Sequence, residues 1–428
     1  MTVYLVGAGP GDPGLLTLRG AELLAGADVV VHDRLSAREL LDLAPVHAER
    51  IDVGKTPGGA SVPQERINEL LVERGRAGHQ VVRLKGGDPY VFARGAEEAE
   101  ALEAAGIDYE VVPGITSAIA VPAYAGIPVT MRYSSTSLTV VTGHEDPTKA
   151  RTDVDWESLA KVGGTIVILM GVANLDRITD RLLAGGLPPD TPAAAIRWGT
   201  RPAQRTVRAT LDTLRHHELA PPSTIVVGDV AARELDWFER RPLFGTTAVV
   251  TRAGTQAPEL SGRLRAVGAG VVEVPTIRIE DPDDGGDALR GALGRVDEYD
   301  WVVVTSPNGA RRLCAQLRDG RDLAGVRIAA VGPGTAAVLA EHHLVADLVP
   351  PRAVSESLLE SFPDPPRAGA RVLLARAAVA RDVLPDGLRE RGWQVDVVDA
   401  YRTVPAELDD HDRTLVEDAD VITFASAS

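Results

Sequence analysis

Short runs rich in Val and Ile alternate with helical patterns along the first 230 residues, and this rhythm constrains the fold more than any other feature. Val3–Val6, Asp28–Val31, Val81–Leu84 and Tyr109–Val112 are expected strands, as are Leu138–Val141, Ile166–Leu169, Ala193–Ile196 and Thr224–Val227. Gly, Pro or Asp bounds each run. Leu15–Leu24, Pro63–Arg74, Ala96–Ala105 and Leu175–Leu183 carry helical spacing between them. Strand–helix alternation of this kind predicts an α/β fold with much parallel sheet. Charges, a Pro and a Gly interrupt the rhythm at Trp237–Gly245, which reads as a linker centred on 241–245. It then resumes with Ala248–Thr251, Val271–Val274, Trp301–Thr305, Arg327–Val331, Arg371–Ala375, Gln394–Val398 and Val421–Phe424 as expected strands.

Composition removes several classes of function. One cysteine, Cys314, permits no internal disulfide and no cysteine-ligated metal site, so a reducing cytoplasm is the expected setting. No run of about 20 residues is free of charge and turn signals, so no membrane span is expected. A net charge of −16 argues against a nucleic-acid coat. Lysine occurs only at Lys55, Lys85, Lys149 and Lys161. A lysine kept in an arginine-biased chain marks a place where an ammonium group is wanted.

Chemistry is concentrated in glycine-bearing turns. The first strand runs into Gly7-Ala8-Gly9-Pro10-Gly11-Asp12-Pro13-Gly14, which matches a dinucleotide fingerprint, with Asp33 near where a ribose-binding acid would lie. Its two prolines remove N–H donors that a pyrophosphate needs. The loop therefore reads as a close backbone approach to some other ligand, or as a tight strand-to-helix turn. Lys85-Gly86-Gly87-Asp88 follows the strand Val81–Leu84, and Pro113-Gly114-Ile115-Thr116-Ser117 follows Tyr109–Val112. Ligands of open α/β sheets sit beyond the carboxyl ends of the strands. The three turns are thus expected to meet at one pocket.

VGAGPGDPGLLT (6–17), VVHDRL (30–35), VGKTPG (53–58), RLKGGDPYVFARGAEE (83–98) and VVPGITSAIAVPAYAGIPVTMR (111–132) closely resemble, in order and spacing, the uroporphyrinogen-III C-methyltransferases of the tetrapyrrole methylase family. The resemblance covers about residues 2–235. It implies two α/β subdomains with a boundary near 113–136, within a methylase domain at 1–240. It also implies S-adenosylmethionine (SAM) as methyl donor without a metal, methylation of uroporphyrinogen III at C2 and C7 to precorrin-2, and a homodimer. By position, Pro10, Gly86, Gly87, Asp88 and Val91 match the family's SAM contacts. So do Thr116, Ser117, Met170 and Gly199. Asp33 and Lys55 match its proton-transfer positions. Asp33 also suits a helix N-cap before Ser36–Leu41, and Lys55 a surface cation. Arg94 and Arg132 are the first candidates to hold the substrate's carboxylates, followed by Arg34 and Arg201. Trp198 suits a core position or one against the ligand.

VVTRAG (249–254), VVVTSPNGARRL (302–313), AAVGPGTAAVL (329–339) and VLLARAAVARDVLPDGLRERGWQVDVVDAYRT (372–403) resemble uroporphyrinogen-III synthase, over residues 246–428. That family closes hydroxymethylbilane into the macrocycle in a bilobal α/β domain. Ser306, Asn308, Thr335 and Ser426 are the binding positions this implies, and Tyr401 the position that assists loss of the hydroxyl. Turn capping is the structural alternative for each. The chain ends after VITFASAS where further elements of the synthase lobe are expected, so this domain is expected to be incomplete. Methylation of a later corrin intermediate, or tetrapyrrole binding without catalysis in the second half, are the competing expectations.

Overall fold

The computed structural model describes residues 2–33, 38–54, 62–144, 154–251 and 257–424. Lys55, Arg34 and Ser426 lie outside the described residues. Two compact units emerge, Met1–Ala248 with Arg263–Val271, and Val249–Gly262 with Val272–Ser428.

The first unit holds two five-stranded sheets. One contains β1 (Val3–Gly7), β2 (Val29–His32), β3 (Glu49–Asp52), β4 (Val81–Lys85) and β5 (Tyr109–Val112), in the order β3-β2-β4-β1-β5. All its pairings are parallel. Its inner strands are covered on both faces, so they read as continuous apolar runs. Alternate residues divide between the faces. Val6, Val30, Val82 and Leu84 pack with Leu23 and Leu24. Leu5, Val29, Val31 and Val81 pack with Ile67, Leu71 and Leu102 from the helices Gln64–Arg76 and Gly95–Ala104.

The other sheet contains β6 (Leu138–Thr142), β7 (Thr165–Leu169), β8 (Pro192–Arg197), β9 (Arg205–Thr210) and β10 (Ser223–Val227), in the order β6-β7-β10-β8-β9. Only β6 and β7 run parallel; β10 is antiparallel to both β7 and β8, and β9 to β8. The expected parallel pairing is thus complete in the first sheet and confined to β6 and β7 in the second. A buried Val/Ile run looks alike in either direction, so direction is not written in it.

The segment expected to be a linker is packed. Phe238 is buried, and its ring lies 4.7 Å from Tyr124 and 5.4 Å from Phe244. Trp237 donates from Nε1 to the Ala123 carbonyl at 2.9 Å. Arg241 lies over the Trp237 and Phe238 rings at 4.9 and 5.1 Å.

From residue 247 onward the chain adds β11 (Thr247–Val250), β12 (Gly270–Glu273), β13 (Ile277–Glu280), β14 (Trp301–Val304), β15 (Arg327–Ala330), β16 (Arg371–Ala377), β17 (Gln394–Pro405) and β18 (Val421–Thr423). They form a three-stranded sheet, β12-β11-β18, and a five-stranded sheet, β13-β17-β16-β14-β15. The larger is parallel apart from β13, which pairs antiparallel with the far end of β17. The chain as a whole is α/β. Among the described residues, no helix is long and apolar enough to cross a membrane.

Candidate functional site

The turns that follow β1, β4 and β5 meet. Gly9 and Gly87 form an antiparallel bridge, with N–H to carbonyl distances of 3.2 and 2.8 Å. The Ala8 N–H donates to the Lys85 carbonyl at 2.7 Å. Asp88 receives the Gly114 N–H on Oδ2 at 2.9 Å and the Tyr90 N–H on Oδ1 at 2.8 Å. The packing leaves no room for side chains. A Cβ on Gly7 would sit 2.4 Å from the Gly114 Cα, and one on Gly114 would sit 2.2 Å from the Gly87 carbonyl oxygen. Gly87 has φ +71°, a conformation that L side chains resist. A Cβ there would stand in ordinary contact with the Thr116 Cα at 3.8 Å and the Ser117 nitrogen at 3.9 Å, so the second turn lies directly against the third.

The third turn opens the helix Ser117–Tyr124, capped by the Thr116 hydroxyl, which accepts the Ala118 N–H at 3.3 Å. This helix lies in the chain between the last strand of the first sheet and the first strand of the second. A Cβ on Gly199, beyond β8, would meet Val121 Cγ1 at 2.3 Å. The first turn is tied to the same region. Asp12 donates its N–H to Thr200 Oγ1 at 3.1 Å and accepts the Tyr124 hydroxyl on Oδ2 at 2.7 Å. Burial, then the hydrogen bond to Asp12 and its charge, push the Tyr124 phenol far above its ordinary range, so it remains a donor. Tyr124→Phe removes that donor. It is expected to lower stability by about 1 kcal/mol, read as a shift in the urea midpoint.

The expected positions thus fall into groups. Pro10, Gly86, Gly87, Asp88, Val91, Thr116 and Ser117 lie in turns at the carboxyl ends of the first sheet. Met170 and Gly199 lie in the loops after β7 and β8 of the second sheet, with Met170 half-exposed. Asp33 follows β2, and its carboxylate oxygen Oδ1 accepts Arg83 Nη2 at 2.6 Å. Arg94 is engaged by its own helix, donating from Nε and Nη2 to the Glu97 carboxylate at 2.7 and 2.6 Å. Arg132 is exposed and lies 5.6 Å from the Tyr133 ring. Arg201 lies over the Trp198 ring at 5.4 Å.

In the second unit, Ser306 caps the helix Pro307–Cys314, accepting the Gly309 N–H at 3.0 Å. Asn308 lies half-buried in the first turn of that helix. Thr335 is buried in the first turn of the neighbouring helix Pro333–Glu341. Tyr401 is buried in the core beside β16, paired with Ala377 at a register shift.

One signal of the site could not be read from residue types. The non-glycine residues with positive φ among the described residues are Phe92, Arg94, Tyr133, Met170, Trp198, Thr200 and His343. All but His343 lie in, or next to, the loops just described. Such conformations cost energy and persist where surrounding structure enforces them, as it does at binding sites.

Comparison with known proteins gives the family of the chain. Residues 2–215 match the family model described as tetrapyrrole (corrin/porphyrin) methylases, and residues 258–428 that of uroporphyrinogen-III synthase HemD. A porphyrin biosynthesis protein HemD from Ruminiclostridium josui is 41% identical over 411 residues, covering 94% of this chain and 81% of its own. An S-adenosyl-L-methionine-dependent uroporphyrinogen III methyltransferase from Methanosarcina barkeri is 56% identical over 232 residues, covering 53% of this chain and 91% of its own. Among solved structures, the uroporphyrin-III C-methyl transferase of Thermus thermophilus complexed with S-adenyl homocysteine is 40% identical, with a TM-score of 0.47. It covers 54% of this chain and 98% of its own. The chain belongs to the tetrapyrrole methylase family and carries, in the same polypeptide, a domain of the uroporphyrinogen-III synthase family.

Proposed function

We propose that residues 1–240 transfer methyl groups from SAM to C2 and C7 of uroporphyrinogen III, giving precorrin-2, and that the protein works as a cytoplasmic homodimer. The observation that carries this reading is the meeting of three glycine turns at the ends of β1, β4 and β5, with Asp33 just after the neighbouring strand β2. Gly87 presents bare backbone beside the start of the third turn, which suits a ligand held against backbone.

SAM brings its own activated methyl group. The protein's share is alignment, which supplies roughly 7–11 kcal/mol of a barrier when two reactants are held in line. The turns around Gly86, Gly87 and Thr116 hold the donor, with Pro10, Asp88, Val91, Ser117, Met170 and Gly199 completing its surroundings. A pyrrole carbon that has accepted a methyl carries positive charge on its ring and must lose or shift a proton. Asp33 stabilises that charge or takes the proton, and Lys55 donates one or binds a propionate. Arg132 and Arg94 hold substrate carboxylates, Arg94 by exchanging Glu97 for a propionate.

The second domain fits supply of the methylase's substrate, since ring closure of hydroxymethylbilane yields uroporphyrinogen III. Asn308 and the Ser306 turn would hold its carboxylates. A second reading draws on Tyr401, the position expected to assist loss of the hydroxyl, being buried in the core, which favours a domain that binds tetrapyrrole without closing it. Hydroxymethylbilane consumption by the purified chain decides between the two.

The test of the methylase is anaerobic incubation of the chain with uroporphyrinogen III and SAM, followed by mass spectrometry. The expected product has gained two methyl groups at C2 and C7. Tight NAD binding without SAM binding would overturn the assignment.

A further inference from the structure

The face of the first sheet that packs on helices Gln64–Arg76 and Gly95–Ala104 is interrupted by charge at one place. On β4, Arg83 and Lys85 follow Val81 at alternate positions, and each is only 2% exposed. Glu98, from helix Gly95–Ala104, is fully buried. Its Oε1 accepts from Lys85 Nζ at 2.7 Å, Arg83 Nε at 3.1 Å and Gln64 Nε2 at 3.2 Å. The other end of the Arg83 guanidinium donates through Nη2 to Asp33 at 2.6 Å. Its Nη1 reaches the carbonyls of Val31 and Leu84 at 3.4 and 3.3 Å. The planar fork thus spans from a carboxylate sealed in the core to one whose side chain is 32% exposed at the end of β2.

Stability is a poor reason for such a network. Buried ion pairs commonly contribute less than a well-packed apolar substitute. This one also leaves Glu98 Oε2 buried without a hydrogen-bond partner. Burial first, and the Arg83 cation second, push the Lys85 ammonium below its ordinary range, against the pull of Glu98. What the arrangement does achieve is geometric. Lys85 opens the second glycine turn, and its carbonyl receives the Ala8 N–H of the first. One rigid cluster therefore fixes Asp33 and the roots of two donor-side turns together.

We propose that Arg83, held by Glu98 and Lys85, is the positioning residue of Asp33, fixing its carboxylate relative to the glycine turns. This rests on the reading of Asp33 as the group that handles charge or proton in methyl transfer. The fork is essential to it. Lysine keeps the charge, but a single ammonium on a flexible stem does not bridge two carboxylates through separate nitrogens.

The test uses the full chain with Arg83→Lys, Asp33→Asn and their double variant. Single-turnover methyl transfer at saturating SAM gives the rate, equilibrium dialysis gives SAM affinity, and thermal melting gives stability. Arg83→Lys is expected to slow the rate about 100-fold, the scale of a misplacement of about 1 Å, with SAM affinity changed by less than about threefold. The double variant is expected to be no slower than Asp33→Asn alone, because Arg83 acts through Asp33. Glu98→Gln reads the same coupling from the far end of the network and should slow the rate about tenfold. A wild-type rate in Arg83→Lys, or an effect that multiplies with Asp33→Asn, overturns the proposal. So does a rate loss that merely tracks lost folding or lost SAM affinity in both Arg83→Lys and Glu98→Gln. If Asp33→Asn itself leaves the rate unchanged while product still forms, the underlying assignment of Asp33 fails, and the positioning role with it.

Discussion

Asp33→Asn is expected to slow methyl transfer about 1000-fold and to leave SAM affinity within about twofold, the pattern of a group that acts on the reacting centre and not on the donor. The amide keeps the shape of the carboxylate and removes its charge. Asp33 is the carboxylate that follows β2; Asp52 ends the paired strand β3, where it receives the Gly54 N–H at 2.8 Å. Arg83 keeps Glu98 as a counterion, so the core stays paired and the fold survives. Rapid quench of an anaerobic single turnover, with products weighed by mass spectrometry, measures the rate. Turnover at the wild-type level removes Asp33 from the mechanism.

Gly114→Ala is the second large effect. The added methyl meets the Gly87 carbonyl oxygen at 2.2 Å and the Gly7 Cα at 2.6 Å, and both obstacles are backbone. No rotamer relieves the clash, so the turns after β1, β4 and β5 must part. Overpacking of this kind costs about 1–3 kcal/mol. SAM affinity is expected to fall by about tenfold or more, because the turns proposed to hold the donor are forced apart. Gly291→Ala is the contrasting substitution. It lies exposed in the helix Asp287–Leu293 with no heavy atom within 4 Å of its new methyl, and should raise stability by about 0.5–1 kcal/mol. Urea midpoints and equilibrium dialysis read both. A Gly114→Ala protein with unaltered SAM affinity would separate the turns from donor binding.

Much of this architecture was legible because buried strands and glycine turns have strong local signatures. The central strands β1, β2 and β4 stand where apolar runs place them. The strands that escaped notice sit at sheet edges. β3 reads ERID and β9 reads RTVRAT, and neither carries an apolar run because one side meets solvent. β13, IRIE, escaped for the same reason, and the extension of β17 to Pro405 is the partner it pairs with. At the site, the glycines showed where backbone approaches closely. The left-handed conformations of Phe92, Met170 and Trp198 did not show, because side-chain-bearing residues adopt them only when tertiary contacts enforce it. Arg83 and Glu98 lay within a motif read for its glycines. Charged residues are so seldom buried that a sequence alone gives no reason to place them in the core.

The aromatic stack of Tyr124, Trp237, Phe238 and Phe244 bears on where the polypeptide can be divided. A truncated enzyme stopped at residue 235, the limit of the sequence resemblance, would strip Trp237 and Phe238 from the helix that begins at Ser117. The Tyr124 ring would meet water while its hydroxyl still had Asp12 to hold. Stopping after Gly245 keeps the clamp, so excision of an independent catalytic half should carry those ten extra residues.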